Sequence, residues 1–529
     1  MPFSSPTSPF LSVQSLDDAQ VLLAKLQEDI FLRDQKLLQH DHKIQSLETK
    51  NQTLELKNQK LVFELAYLKR MRFGSKSETL PADQKQLFED DIDQDLAAIG
   101  AELELTLATD DAPVARLQSR PRAGRQPLPA HLERIEVRHD LEICACNTCQ
   151  SALVKIGEDI SEQLDIEPAR FFVLRHIRPQ YACRQCETVS AAPVAAAIID
   201  GGMATPGLLA WVAISKYMDH LPLYRVEQIA ARQQVVLSRS TLSEWIGRLG
   251  VALQPLADRL SERLRQQHCL HADETPVQQL DPGKGKTRRA YLWAYRSNDL
   301  NGSPPMVLFD YQTSRSGQHA ASYLRDWRGA LMVDDYGGYK ALFVSGVVEL
   351  GCWAHARRKF FDLHAAGGHP VAAEALQRIA QLYAVEEQAS IFTVEQREKY
   401  RAQHSAPLLQ ALHEWLKNLR PTVANGGALA KAIDYTLRRW PALVRYAESG
   451  ELPIDNNPVE NAIRPIAVGK KNWLFAGSER AGRRAAAIQS LLATAKLNGL
   501  EPSAWLKDTL EKLPTWPNCR IDELLPLRS

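Results

Sequence analysis

From Leu23 onward, apolar side chains return every seven residues. Leu23, Ile30, Leu37, Ile44 and Leu65 share one position with Asn51 and Asn58, while Leu26, Leu47, Leu54, Leu61 and Leu68 fill a second. A 3.5-residue period sustained this long predicts a coiled coil over 15–72. Arg33 and His40 interrupt the second register, and Asn51 and Asn58 are the kind of polar core residue that fixes a two-stranded register. The expectation is a homodimer or higher assembly built on a parallel zipper, the alternative being a long amphipathic helix packed on its own protein.

The pattern then changes several times. Residues 73–128 are polar, acidic and finally Pro/Arg-rich, and read as linker. Residues 129–195 hold short strand-like segments such as FFVLRHI beside two CxxC pairs. Over 205–250 the spacing predicts three helices, 206–217, 224–232 and TLSEWIGRLG, separated before the third by the turn QQVVLSRS. That fits a helix-turn-helix DNA-binding region in which Arg239, Ser240 and Thr241 meet phosphates or base edges, with a plain helical bundle as the alternative. Residues 265–369 alternate as three strands, helix, strand, helix, strand; 370–450 read as helical; 451–495 return to the same domain; 496–529 form a helical tail. The fold class is multidomain α+β.

Composition narrows the possibilities. The 529 residues carry 64 Lys plus Arg against 63 Asp plus Glu, so net charge gives no argument about nucleic acid. Local charge does: Arg464, Lys470, Lys471, Arg480, Arg483 and Arg484 stand against Glu479 alone, while residues 88–104 are acidic. The N-terminus lacks a signal-peptide pattern, and the most apolar stretch, 189–214, is broken by Asp200, Gly201, Gly202 and Pro206. A cytoplasmic protein with no membrane span is expected. In that setting Cys146, Cys149, Cys183 and Cys186 predict a closed four-thiolate Zn²⁺ site, with Cys144 as a spare ligand.

Three acids sit at informative places. Asp273 in HADETP and Asp334 in LMVDDY end the first and fourth strands of the 265–369 succession, which matches a ribonuclease-H-like mixed sheet with those two strands side by side. Two carboxylates 4 Å apart repel by roughly 4 kcal/mol at an effective dielectric near 20, which calls for a cation between them. Glu460 lies in DNNPVENAIRPIAVGKKNWLFAGS, a cationic stretch in which Asn457, Pro458 and Glu460 also satisfy an ordinary capping box. With Glu460 the acids form a hard oxygen set suited to Mg²⁺ (or Mn²⁺) and to in-line phosphoryl transfer. Glu274 and Asp335 each adjoin one of these acids, and alternation along a strand lets only one of each pair reach a metal without saying which. Pro465 is expected to limit how far the Glu460 helix continues.

The heptads followed by RFGSKSE, the paired CxxC motifs, HADETP, CWAHARRKF and DNNPVENAIRPIAVGKKNWLFAGS together resemble the DDE transposases of the insertion sequence 66 family (TnpC type), over nearly the whole chain. The resemblance implies a catalytic triad of Asp273, Asp334 and Glu460, with an α-helical insertion before the Glu. Asp335 stands where that family usually has Gly. Cys352 and His355 match a C(2)H signature of related transposases; two ligands do not close a tetrahedral zinc site, so packing beside the active site is expected of them. Arg357, Arg358, Arg464, Lys470 and Lys471 are candidate DNA contacts, and Trp473 is a candidate to stack on an unpaired base. The implied activity is binding of terminal inverted repeats in double-stranded DNA, then cleavage and strand transfer to target DNA, with two small accessory proteins of the same element. A ribonuclease-H-like nuclease that cuts without joining and an inactive dimeric DNA-binding regulator are the alternatives.

Overall fold

The structure, a computed structural model, describes residues 128–140, 151–167, 170–281, 286–367 and 369–528, with scattered positions between 27 and 61 and at 95, 98 and 99. The chain divides into two units, Met1–Tyr67 with Leu103–Val114, and Leu68–Glu102 with Ala115–Ser529. In the first unit the described positions of 27–61 are helical, and Ile30, Leu37, Ile44, Leu47 and Leu54 of the heptad pattern are exposed. Leu23, Leu26, Leu65 and Leu68, most of the expected linker, and Cys144, Cys146 and Cys149 lie outside the described residues.

The second unit begins with a four-stranded sheet of β1 (Arg134–Arg138), β2 (Leu153–Glu167), β3 (Arg170–Cys183) and β4 (Val189–Ala191), in the order β1-β3-β2 with β4 also on β3. FFVLRHI falls within β3, where Phe171, Phe172, Val173 and Ile177 are buried. A tight turn joins β3 to β4. Cys183 N–H donates to the Thr188 carbonyl at 2.9 Å and Glu187 N–H to the Cys183 carbonyl at 2.9 Å, so one knuckle carries both Cys183 and Cys186.

Three helices follow, α1 (Pro206–Tyr217), α2 (Leu223–Arg232) and α3 (Arg239–Leu264). Thr205 and Ser238 cap the first and third through their hydroxyls. The third helix does not stop near Gly250 as its sequence suggests, but runs on through Pro255 to Leu264. Apolar spacing explains this, since Leu242, Ile246, Leu249, Leu253, Leu256 and Leu260 continue one buried stripe past the glycine. Gly250 serves packing instead: a Cβ there would overlap the Arg484 side chain. All three helices share a single apolar core with the sheet that follows.

That sheet consists of β5 (Cys269–Asp281), β6 (Lys286–Ser297), β7 (Val307–Gln312), β8 (Ala330–Val333) and β9 (Val348–Gly351), in the order β7-β6-β5-β8-β9. Helices α4 (Gly317–Tyr323) and α5 (Lys340–Val344) fall before and after β8. The first three strands are antiparallel, whereas β5/β8 and β8/β9 are parallel. The first and fourth strands are therefore neighbours. However, β5 does not end at Asp273. Its parallel pairing with β8 stops at His271↔Met332, but its antiparallel pairing with β6 continues to Asp281↔Lys286. Pro276 is tolerated there because that part of β5 no longer has β8 beside it.

After β9 the chain builds α6 (Trp353–Gly367), α7 (Pro370–Ala389), α8 (Val394–Leu419) and α9 (Ala428–Val444) around a separate core that includes Trp353, Phe360, Ile379, Leu412 and Tyr446. Two buried arginines of α8 hold the exit from this bundle. Arg401 pairs with Glu386 and donates to the carbonyls of Tyr446 and Leu452 at 2.8 Å, and Arg397 donates to that of Gly450 at 2.8 Å. Then come α10 (Asn457–Trp473), α11 (Glu479–Leu497) and α12 (Pro502–Lys512). Helix α11 covers the free edge of β7, where Ser490 and Thr494 hydroxyls accept from the N–H groups of Phe309 and Val307 at 2.7 and 3.1 Å. Among the described residues no helix is long and apolar enough to cross a membrane.

Candidate active site

Sheet register brings the two aspartates together. Asp273 lies two residues beyond His271 on β5, and Asp334 lies two residues beyond Met332 at the end of β8, the pair at which the parallel ladder stops. Glu460 arrives from the first turn of α10, on the far side of the helical insertion. Burial raises the Asp273 carboxyl to about 7, and the charges of Glu274, Asp334 and Glu460 push it the same way. Among the described residues no Lys or Arg forms an ion pair with any of the three, and the Glu460 Oε1 atom is buried with no hydrogen-bond partner. Such a set calls for the positive charge that a divalent cation would supply through hard oxygen ligands, while the ligand atoms that lie within 4.8 Å of one another among the described residues are those of Cys352, His355 and Glu460.

The adjacent acids have partners of their own. Glu274 accepts from Arg315 Nε at 2.7 Å and from the Tyr339 hydroxyl at 3.0 Å, and Arg315 lies over the Tyr336 ring at 3.9 Å. Asp335 faces Arg438 at 3.0 Å and Arg439 at 3.4 Å. Asp334 instead turns its Oδ1 to the Tyr336 N–H at 2.8 Å, while Arg439 donates to its carbonyl at 3.1 Å. The arginines that neutralise Glu274 and Asp335 come from distant parts of the chain, so no local pattern reveals them.

The start of α10 differs from the capping box that its sequence suggests. Asn456, not Asn457, is the N-cap residue, so Glu460 falls one position too late to complete the box. Asn456 does not cap with its side chain either. Its Nδ2 donates to the Ala272 carbonyl at 2.9 Å and its Oδ1 meets His271 Nδ1 at 3.1 Å, both deep in the protein. Burial holds the His271 imidazole down at about 3, so it is neutral and its Nδ1–H donates to the amide oxygen. Asn457 turns back to Asp455, donating to Oδ2 at 2.7 Å, and Tyr383 of α7 donates to the same carboxylate at 2.9 Å. The DNN triplet is thus a junction between β5, the insertion and the Glu460 helix. Asn456 is the site-building residue that motif reading missed; its only sequence signal is the doubled Asn before Pro458.

Cys352 lies at the end of β9 and is 1 % exposed; its Sγ accepts the Asn456 N–H at 3.2 Å. Burial pushes its thiol up to about 12. One turn on, His355 brings Nδ1 to 3.7 Å from Glu460 Oε1. Cys352 packs beside the start of α10, whereas His355 points a ring nitrogen at Glu460.

The expected DNA contacts scatter. Arg357 and Arg358 are exposed on α6, and Arg464 and Lys471 on α10. Lys470 folds back to donate to the Pro276 carbonyl at 2.8 Å. Trp473 is half-buried and lines an apolar cleft with Tyr311, Ile466 and Phe475. At the head of α3, Arg239 pairs with Glu227 at 3.1 Å, and Ser240 and Thr241 bond the Ser238 hydroxyl at 2.9 and 2.8 Å. Helix α10 runs on through Pro465, correcting the expected break. Residues Asn461 and Pro465 are both exposed, so the proline lies on the solvent side of the helix, where a lost backbone hydrogen bond costs least.

Residues 201–484 match the Transposase IS66 family, 144–187 match the zinc-finger binding domain of transposase IS66, 490–527 match the IS66 C-terminal element, and 60–137 match Transposase C of IS166 homeodomain. The zinc-finger match spans both CxxC pairs. Similar proteins occur in Sinorhizobium fredii. The uncharacterized protein y4jD is 39% identical over 88% of this chain and 93% of its own length, and y4qI is 39% identical over 87% of each. A third, y4hP, is 32% identical over 82% of each.

Proposed function

Because the chain belongs to the IS66 transposase family, we propose that it binds the terminal inverted repeats of its element and catalyses metal-dependent DNA cleavage and strand transfer at Asp273, Asp334 and Glu460. The observation that carries this reading is that the charges of Asp334, beyond the end of β8, and Glu460, on α10, both reach the buried Asp273 carboxyl of β5, with no arginine partner, next to two acids that do have arginine partners. The sheet order β7-β6-β5-β8-β9 supports a ribonuclease-H-like catalytic domain, interrupted by the helical bundle of α6 to α9.

In this reading Asp273, Asp334 and Glu460 hold Mg²⁺ or Mn²⁺, which when bound activates the attacking oxygen and stabilises the leaving one. The protein's own groups fix the geometry. Asn456 ties the Glu460 helix to the strand that carries Asp273, and Arg439 steadies the Asp334 main chain while neutralising Asp335. Water attacks the phosphodiester at the element's end and its 3′-oxygen leaves; the freed 3′-hydroxyl then attacks a target phosphodiester, joining to its 5′-phosphate as the target's own 3′-oxygen leaves. Exposed Arg357, Arg358, Arg464 and Lys471 are available to phosphates, and Trp473 to an unpaired base. The exposed heptad residues of the first unit suit a homodimer, and Cys146, Cys149, Cys183 and Cys186 a structural Zn²⁺. Two small accessory proteins of the element act beside the enzyme.

The test uses purified full-length protein with labelled inverted-repeat ends and a target plasmid. Cleaved and joined products are expected with Mg²⁺ or Mn²⁺, and Asp273→Asn or Glu460→Gln should lower both by on the order of a thousandfold, the scale of losing one principal electrostatic stabiliser. Cleavage without joining would identify a nuclease, and unchanged variants would overturn the triad.

A further inference from the structure

We propose that His355 is a nitrogen ligand of the cation held by Glu460, so that this half of the site is a mixed nitrogen and oxygen site favouring Mn²⁺ over Mg²⁺. The inference rests on the metal-dependent reading above and adds a ligand to its Asp, Asp, Glu set.

Geometry carries the argument. His355 Nδ1 and Glu460 Oε1 are each buried with no hydrogen-bond partner, and they face each other at 3.7 Å. That separation is too long for a hydrogen bond. It is close to the roughly 3 to 3.5 Å expected between two donors that each bind one ion at about 2.0 to 2.2 Å. Two orphaned polar atoms aimed at one small space are costly unless something bonds both. A cation does so with a lone pair from each.

Cys352, His355 and Glu460 offer ligand atoms that all lie within 4.8 Å of one another, which raises the question of the sulfur. Cys352 Sγ accepts the Asn456 N–H at 3.2 Å, and a soft sulfur donor suits neither Mn²⁺ nor Mg²⁺. That bond fixes the residue from which α10 starts, which places Cys352 as a positioning residue and leaves His355 as the ligand. Both come from one short stretch: Cys352 closes β9, and His355 lies one turn into α6. The spacing serves both, since one turn of helix carries the imidazole from the Asn456 junction to the Glu460 carboxylate.

The consequence is metal preference. Mg²⁺ favours an all-oxygen shell, whereas an imidazole nitrogen suits first-row transition ions. The experiment titrates the full-length protein with Mn²⁺, follows free Mn²⁺ by electron paramagnetic resonance, and records the pulsed spectrum of the bound ion. Nitrogen coupling from an imidazole is expected in the parent. His355→Gln should abolish it and weaken Mn²⁺ binding at least tenfold, with little change in Mg²⁺ affinity. Cys352→Ser, which retains a hydrogen-bond acceptor, should keep the coupling.

Bound Mn²⁺ with no nitrogen coupling, absence of Mn²⁺ binding, or coupling that survives in a folded His355→Gln protein would overturn the assignment. His355→Asn provides a second variant if the first does not fold. Failure of the transposase reading looks different: the nitrogen signal would persist in a parent protein that neither cuts nor joins inverted-repeat ends.

Discussion

The side-chain amide of Asn456 donates to the main-chain carbonyl of Ala272 at 2.9 Å, joining the N-cap of the Glu460 helix to the residue just before Asp273. Two acids far apart in sequence are thereby held by one side chain that is 1 % exposed. Asn456→Ala would leave the Ala272 carbonyl and His271 Nδ1 buried without that partner, a loss of about 2 to 6 kcal/mol at roughly 1 to 3 kcal/mol for each stranded group. Urea unfolding should show this, and strand transfer should fall further than stability alone explains. Asn457→Ala, at an exposed position bonded only locally to Asp455, should lose less than half as much.

Arg401 is fully buried, and removing it strands the Glu386 carboxylate together with several carbonyls. Arg401→Met is expected to destabilise the protein by roughly 3 to 5 kcal/mol, the range for breaking a buried pair from one side. Adding Glu386→Gln should recover part of that loss, which a double-mutant cycle measures. Because the arginine also holds the carbonyls leading into α10, cleavage should fall in the single variant even at temperatures where it remains folded.

Gly469 of α10 packs directly on the His220 ring, and a Cβ at this position would overlap it. His220 has φ 56, a left-handed backbone conformation with little freedom to move aside. Gly469→Ala should therefore cost about 1 to 3 kcal/mol, the usual scale of overpacking, despite alanine's better helix propensity. Differential scanning calorimetry against Val468→Ala, an exposed control on the same helix, checks it.

The same contact makes stability depend on pH. Burial lowers the His220 imidazole below its ordinary value, and its Nδ1 has no hydrogen-bond partner. The folded state thus holds the neutral ring, while the unfolded chain gains a proton near the usual value of about 6.5. This contribution is fully present above that pH and declines as pH falls toward the depressed folded value. Unfolding free energies measured between pH 8 and 5 should drop less steeply for His220→Asn than for the parent.

Metal content tests the knuckle at Cys183 and Cys186. Protein purified without added metal should carry about one zinc per chain by atomic emission, since four-thiolate sites bind tightly. Cys183→Ser should lose the metal and the thermal stability that goes with it.

The chain's pattern disclosed much of this site, and the limits are specific. The strand succession of 265–369 and the neighbouring first and fourth strands are legible because hydrophobic runs and breaks are local. The extent of β5 is not, since Asp273 and Pro276 look like a strand end until β6 is seen to pair on past them. Glu460 stands out as an acid among cations, yet its capping role dissolves because Asn456 and Asn457 are identical in type and only their distant partners distinguish them. Glu274 and Asp335, unlike Asp273 and Asp334, pair with Arg315, Arg438 and Arg439, whose approach is set by tertiary packing. His355 facing Glu460 belongs to the same class.

The helical bundle pinned by Arg397 and Arg401 also orders events during synthesis. The two aspartates leave the ribosome well before α10, and the turn that delivers Glu460 gains its anchors only after α8 has packed on residues 446–452. Domains tend to fold as they emerge, from the N-terminus onward. A truncated or half-folded chain therefore holds at most two of the three acids, and only the finished chain brings Glu460 to the strand that carries Asp273.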